Sequence, residues 1–339
     1  MSIRNILLKT TLLKHSVKTL FLSASALAFL TLLTNCQQKN KIEEAIHAIP
    51  VSLKVSRFEQ EFHQSDSSEI PLLKKKYPYL FPQQFHDSIW VRRQQDSLQK
   101  QLADAVSSAF PNLDSLRSEI THLFQHAQYY FRETEVPHLI TLTNDVDYQT
   151  KVVYADSLLL ISLDTFLGKE HPFYEGISAY IRHEMTAAHL LPEIANELAT
   201  MHVPPPRQRH LLAQMIYHGK LLYLKDLLWP HANDALKIGY TEAQYRWAEE
   251  NERYIWQYFI EKELLYQTHP SLHQRFMDPA PFSKFYLDID RESPGRIGRW
   301  LGWQIVRSYS KKYPEVSLEK LLSLPAQSLF ETSGYKPKR

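Results

Sequence analysis

Hydrophobic residues alternate at Val51, Leu53 and Val55, the two-residue period of a strand with one buried face. The period then lengthens. Apolar positions recur at helical spacing over Asp87–Phe110 and Asp114–Phe131, and Pro111-Asn112 separates the two segments, with Asp114 placed to cap the second. Two β-like runs follow, HLITLT (His138–Thr143) and SLLLISLD (Ser157–Asp164). Part of the second is apolar on both faces, as a strand covered on both sides must be, and the two are expected to be neighbours in one sheet. Beyond Gly168 the pattern is almost wholly helical, near Tyr174–Arg182, Glu193–Met201, Arg207–Leu228, Thr241–Tyr266 and Pro294–Tyr309, with two short helices after Ser317. Leu211, Leu212, Met215, Ile216, Gly219, Leu222 and Tyr223 make one amphipathic stripe, and Trp247, Tyr254, Ile255, Tyr258, Phe259 and Leu265 make another. The fold class predicted is α+β: a small sheet near the N-terminal half and a large helical C-terminal half. Residues 51–339 are expected to be a single globular domain, with a strand-containing lobe over about 51–168 and a helical lobe over about 169–339.

The segment before this pattern reads differently. Arg4, Lys9, Lys14 and Lys18 precede an apolar run from Leu20 to Leu33, and Cys36, the only cysteine of the chain, follows closely. A run of about 14 residues is too short for a helix that spans a bilayer, which needs about 20. Residues 1–36 are therefore expected to be a lipoprotein signal with Cys36 as the lipidated residue, and 37–50 a polar tether. A lone cysteine makes no intrachain disulfide. The chain is 44% hydrophobic and 12% aromatic, a composition that folds, and the formal net charge of +2 gives no general attraction to nucleic acid. All four cations of the leading segment lie in a stretch without acids, so the remainder carries −2.

Candidate chemistry is sparse. His183-Glu184 and His189 suggest a metalloprotease signature, but the histidines are six residues apart, about 240° around a continuous helix, so they are expected to diverge. Asn196-Glu197-Leu198-Ala199-Thr200 has the layout of the metalloprotease HELxH helix, with Asn196 and Thr200 where zinc-ligating histidines would stand. Glu197 takes the general-base position and His218 is the only other potential ligand; NELAT is equally a plain helix with exposed polar residues. No metal site and no cofactor are assigned. Asp145 and Asp147 with Asp156 lack the spacing of a calcium loop and read as solvated carboxylates. Gly295, Gly298 and Gly302 point to close packing against another helix, a ligand-contact surface with Arg296 and Arg299 being the alternative. Pro204-Pro205-Pro206 is a rigid bend between helices, or else a docking site for a proline-binding partner.

Four long blocks together carry a resemblance: KKKYPYLFP (Lys74–Pro82), Asp145–Tyr174, Val203–Asp226 and Asp278–Tyr309. They resemble the gliding-motility lipoprotein GldB family of the Bacteroidota, over most of the chain after the signal. The resemblance implies an envelope lipoprotein needed for surface gliding, without established catalytic activity. That family is in turn distantly similar to zinc metallopeptidase-like domains, which implies a degenerate zincin-like fold and agrees with the NELAT segment. The expected protein is a lipid-anchored, periplasm-facing, non-catalytic scaffold or accessory component. Its expected partners are the membrane, through the anchor, and other envelope proteins of the gliding machinery, with no nucleic acid. Two alternatives remain: a diverged hydrolase using Glu197 with His218, and an aromatic-rich binder of cell-wall glycan.

Overall fold

The computed structural model describes residues 41–155 and 157–338. The signal segment, Cys36 and Asp156 lie outside the described residues. The chain divides after Pro50 into two units. In the first, residues 41–47 are helical; the second begins at Val51.

Four short strands make one mixed sheet: β1 (Val55–Arg57), β2 (His138–Leu142), β3 (Val152–Ala155) and β4 (Leu158–Ser162), in the order β1-β2-β4-β3. β2 pairs in parallel with β1 and with β4, Leu139 facing Val55 and Leu159, while β3 pairs antiparallel with β4. Successive side chains of a strand point to opposite faces, and here both faces are covered. Leu139, Leu159 and Ile161 enter the large core of the helical body. Ile140 enters a smaller cluster with Phe62, Ile70, Leu73, Tyr77 and Phe81, against which Leu158 and Leu160 pack. The double coverage accounts for the continuous apolar run of β4. The expected pairing of the two β-like runs is found; β3 is an additional strand.

The smaller cluster comes from α1 (Phe58–Gln64), α2 (Ile70–Lys76) and α3 (Asp87–Gln95), where Phe58 meets Tyr77 edge-on at 5.1 Å and Phe81 meets Trp90 at 4.8 Å. α4 (Ser97–Ala109) and α5 (Asp114–Tyr130) run on to β2. The single helix predicted over Asp87–Phe110 is therefore two, because Asp96 leaves helical geometry and its carboxylate caps the Leu98 and Gln99 amides of the next helix. At the head of α5 the N-cap is Leu113, which has no capping side chain; the Asn112 Oδ1 just before it accepts from the Asp114 amide, and Asp114 is the first helical residue rather than the cap. Asp145 and Val146 adopt left-handed backbone, held by the buried Asp164 carboxylate, which accepts from the Asn144 and Val146 amides. Asp145 pairs with Arg93 at 2.7 Å and accepts from Gln99, and Asp147 accepts from the Gln149 amide, so neither is merely solvated.

The helical body comprises α6 (Ala179–Arg182), α7 (Leu190–His202), α8 (Leu211–Leu228), α9 (Asp234–Ile238), α10 (Glu242–Glu250), α11 (Glu252–Glu261), α12 (Pro270–Phe276), α13 (Ile297–Lys312), α14 (Leu318–Ser323) and α15 (Ala326–Ser333). The segment Thr241–Tyr266 breaks at Asn251, and Gly176, in left-handed geometry at φ +86°, precedes the short α6 in place of a longer helix from Tyr174.

α8 and α13 cross in backbone contact. A Cβ on Gly302 would collide with the Met215 backbone, and one on Gly219 with the backbone of Gly302 and Trp303. The expected glycine packing is thus found at Gly302 against α8 and at Gly298 against Phe276 at the end of α12, whereas Gly295 lies before the helix against Ala280. Asp226 at the end of α8 fastens the pair, accepting from Trp303 Nε1 at 2.9 Å and bidentately from Arg307, whose guanidinium lies 3.7 Å over the Trp303 ring. Forcing a methyl into packed backbone costs typically 1–3 kcal/mol or more. Gly302→Ala should lower the unfolding free energy by about 3 kcal/mol in urea titration, and a loss below about 1 kcal/mol would contradict a crossing this close.

Candidate functional site

Beneath the α8–α13 crossing lies a polar cavity of about 100 Å³. α7 contributes Glu193 and Asn196, α8 contributes His218 and Lys225, and the head of α13 contributes Arg299. Glu184 and His189, between α6 and α7, and Arg296, just before α13, complete its charged wall. On a helix, residues three or seven apart share a face, which is why Glu193 is carried with Asn196 and His218 with Lys225.

Arg296 adopts left-handed backbone at φ +60°, so α13 starts one residue later and its guanidinium turns inward. There it pairs with Glu184 at 2.7 Å and donates to the Ile238 carbonyl at 3.2 Å. Gly239, also left-handed at φ +78°, gives that pair its room, since a Cβ would lie 2.7 Å from the Glu184 carboxylate and 2.8 Å from Arg296. Burial would raise the Glu184 carboxyl, but Arg296 and Lys151 outweigh it and the net shift is downward. Glu193 is paired with Lys151. A second cavity of about 320 Å³ adjoins the first through Glu184, Gly239 and Arg296, which line both.

His183 and His189 do not diverge. The chain between them is not a continuous helix: α6 ends at Arg182 and a separate 3₁₀ turn covers Ala187–His189, so the two rings stand edge to face at 5.1 Å. His189 is 7% exposed; Thr186 Oγ1 lies 2.8 Å from its Nδ1, and its Nε2 has no protein partner. Burial lowers it to about 4, and His218 falls to about 2 through burial and the nearby Arg299 and His273. Both imidazoles are neutral at pH 7.

Of the four positions singled out by the HELxH layout, the structure brings Asn196 and His218 to the cavity. Glu197 does not line it, because neighbouring helical residues point about 100° apart, and neither does Thr200, one turn beyond Asn196. The Thr200 hydroxyl donates to the Glu197 carbonyl at 2.6 Å, and burial, with Glu193 adding to it, raises the Glu197 carboxyl above its usual range. Among the described residues, no three His, Cys, Asp or Glu side chains group so as to hold a metal ion. Sequence reasoning missed Lys225 and the joint role of Glu184 and His189. For Lys225 the signal was present as a lysine on the apolar stripe of α8.

The neutral state of His218 links folding to pH. An unfolded imidazole takes up its proton near pH 6.5, so below that value the unfolded chain binds one more proton than the folded one. The contribution of His218 is full above pH 6.5 and is lost as pH falls toward its folded value. Replacing His218 with Gln should make the drop in unfolding free energy between pH 6 and pH 5 smaller by about 1 kcal/mol, read from urea titrations of both proteins. An equal drop in the two would mean that the imidazole is charged in the fold.

Comparison with known proteins bears on the whole of this unit. No curated protein and no solved structure matches the chain. The model of the family described as gliding motility protein GldB matches residues 39–337, which include the sheet, the α8–α13 crossing and every residue of the cavity wall. The match spans most of the chain, and the chain belongs to the GldB family of gliding motility proteins.

Proposed function

We propose that this gliding-motility protein is a lipid-anchored component of the cell envelope, held through Cys36 with its body facing the periplasm. It acts there as a non-catalytic scaffold or accessory component that contacts other envelope proteins of the machinery. The observation that carries this reading is the position of the family match. It begins at residue 39, three residues after the sole cysteine, and runs to 337, so the family body starts where a lipid-anchored chain would leave its anchor. None of the described helices is long and apolar enough to cross a membrane. Two acyl chains on one cysteine hold a soluble body at a bilayer effectively permanently.

The second reading, a diverged hydrolase using Glu197, draws on that residue's raised carboxyl, a property common among general acids and bases. Against it stands the geometry, since a general base must reach the water or metal it serves. The Glu197 side chain is outside the cavity, and the ligand positions flanking it hold Asn196 and Thr200.

Cys36→Ala should move the protein from the membrane fraction to the soluble fraction of the envelope, and retention in membranes would overturn the anchor. A Glu197→Gln allele should support gliding at the wild-type rate in single-cell tracking. Loss of gliding with protein level and melting temperature unchanged would instead favour the hydrolase.

A further inference from the structure

Two cations of the cavity wall have no carboxylate. Glu184 is engaged by Arg296, Glu193 by Lys151, and Lys237 by Asp226 and Asp234. Lys225, 6% exposed, makes one hydrogen bond, to the Lys237 carbonyl at 3.0 Å. Arg299 donates its Nε to the Met277 carbonyl at 2.5 Å. Among the described residues no acidic side chain forms an ion pair with either. Lys220, five residues earlier on α8, differs in having two carbonyl acceptors where Lys225 has one, and in lying away from this cavity. That buried ammonium donates to the Leu322 and Leu324 carbonyls at the C-terminal end of α14, where a helix favours a cation.

Burying a charge without a partner is among the most costly arrangements in a protein interior. Here two cations without a carboxylate face one cavity, whose wall also holds the unpartnered Nε2 of His189 and the side-chain amide of Asn196, which bonds Glu197. We infer that the cavity is a binding site for a small oxyanion, a phosphate or carboxylate group, held by Arg299 and Lys225 and completed by hydrogen bonds from His189 and Asn196. A guanidinium offers a planar fork that matches either group, and an ammonium adds a point charge with spare donors. In the tautomer that serves the site, the Thr186 hydroxyl donates to His189 Nδ1 and Nε2 carries the proton toward the anion. A volume of about 100 Å³ is that of roughly three waters, sufficient for one such group. The remainder of a larger ligand would extend past the Glu184–Arg296 pair into the adjoining cavity.

The inference is independent of the membrane anchor and is tested by calorimetric titration of the full-length protein, purified in detergent, with inorganic phosphate and separately with acetate. Saturable binding of one anion per chain is expected for at least one of the two. Phosphate alone would assign a phosphoryl-bearing ligand and acetate alone a carboxylate-bearing one. Lys225→Met, which keeps the length of the side chain and removes its charge, should weaken binding at least tenfold while the melting temperature of the anion-free protein is no lower than wild type. Arg299→Gln should weaken it at least tenfold, with partial recovery in Arg299→Lys. No saturable binding of either anion up to about 10 mM, or wild-type binding by a folded Lys225→Met protein, overturns the site. So does a Lys225→Met protein that no longer folds, because the ammonium would then be structural.

Discussion

The backbone contact between α8 and α13 is the constraint on which the rest of the helical body depends. Helices ordinarily pack with their axes 8–10 Å apart, kept there by side chains. Gly219 and Gly302 remove those side chains at the crossing, so the flanking residues are carried with the backbone into one place. His218 lies one residue from the contact on α8, and Arg299 less than a turn from it on α13. The crossing therefore fixes a scaffold and at the same time gathers basic groups around the cavity.

The same pair of helices treats charge in two different ways. On the Asp226 face, each cation has its anion: Arg307 bonds Asp226 and Asp234, Lys237 bonds the same two carboxylates, and the Trp303 indole adds a donor. Asp234 is shifted downward despite its burial, because Arg307 and Lys237 hold the carboxylate form. On the cavity face, about 100° around α8, burial pulls Lys225 down to about 8, and burial with Arg296 pulls Arg299 down to about 10. The first face pairs every cation with a carboxylate and stabilises the fold. The other carries a cost that folding alone does not recover, the usual mark of a site shaped for something other than stability.

Much of the architecture was legible in the chain because it depends on local period. The runs His138–Thr143 and Ser157–Asp164 announce buried strands, and the stripe from Leu211 to Tyr223 announces a core helix. Helix breaks were less legible, since Asp96 and Asn251 interrupt segments whose apolar spacing continues on either side. β3 was missed because four residues, half of them partly buried, carry little pattern of their own. The site was the least legible part. His183 and His189 would diverge only on a continuous helix, which the chain does not make between them, and the inward turn of Arg296 requires a left-handed residue that side-chain pattern does not reveal. Asn196 and His218 were found through a motif layout whose central glutamate the structure leaves outside the cavity.

The position of β1 has a mechanical consequence. It is a three-residue edge strand at the start of the second unit, paired only with β2 and followed directly by Phe58 of the smaller aromatic cluster. Tension on the segment before Val51 enters through this edge, so β1 and the layer beneath it bear the load first. The sheet stands between that layer and the large core. Force applied at Val51 would therefore load the outer layer before it reached the α8–α13 crossing.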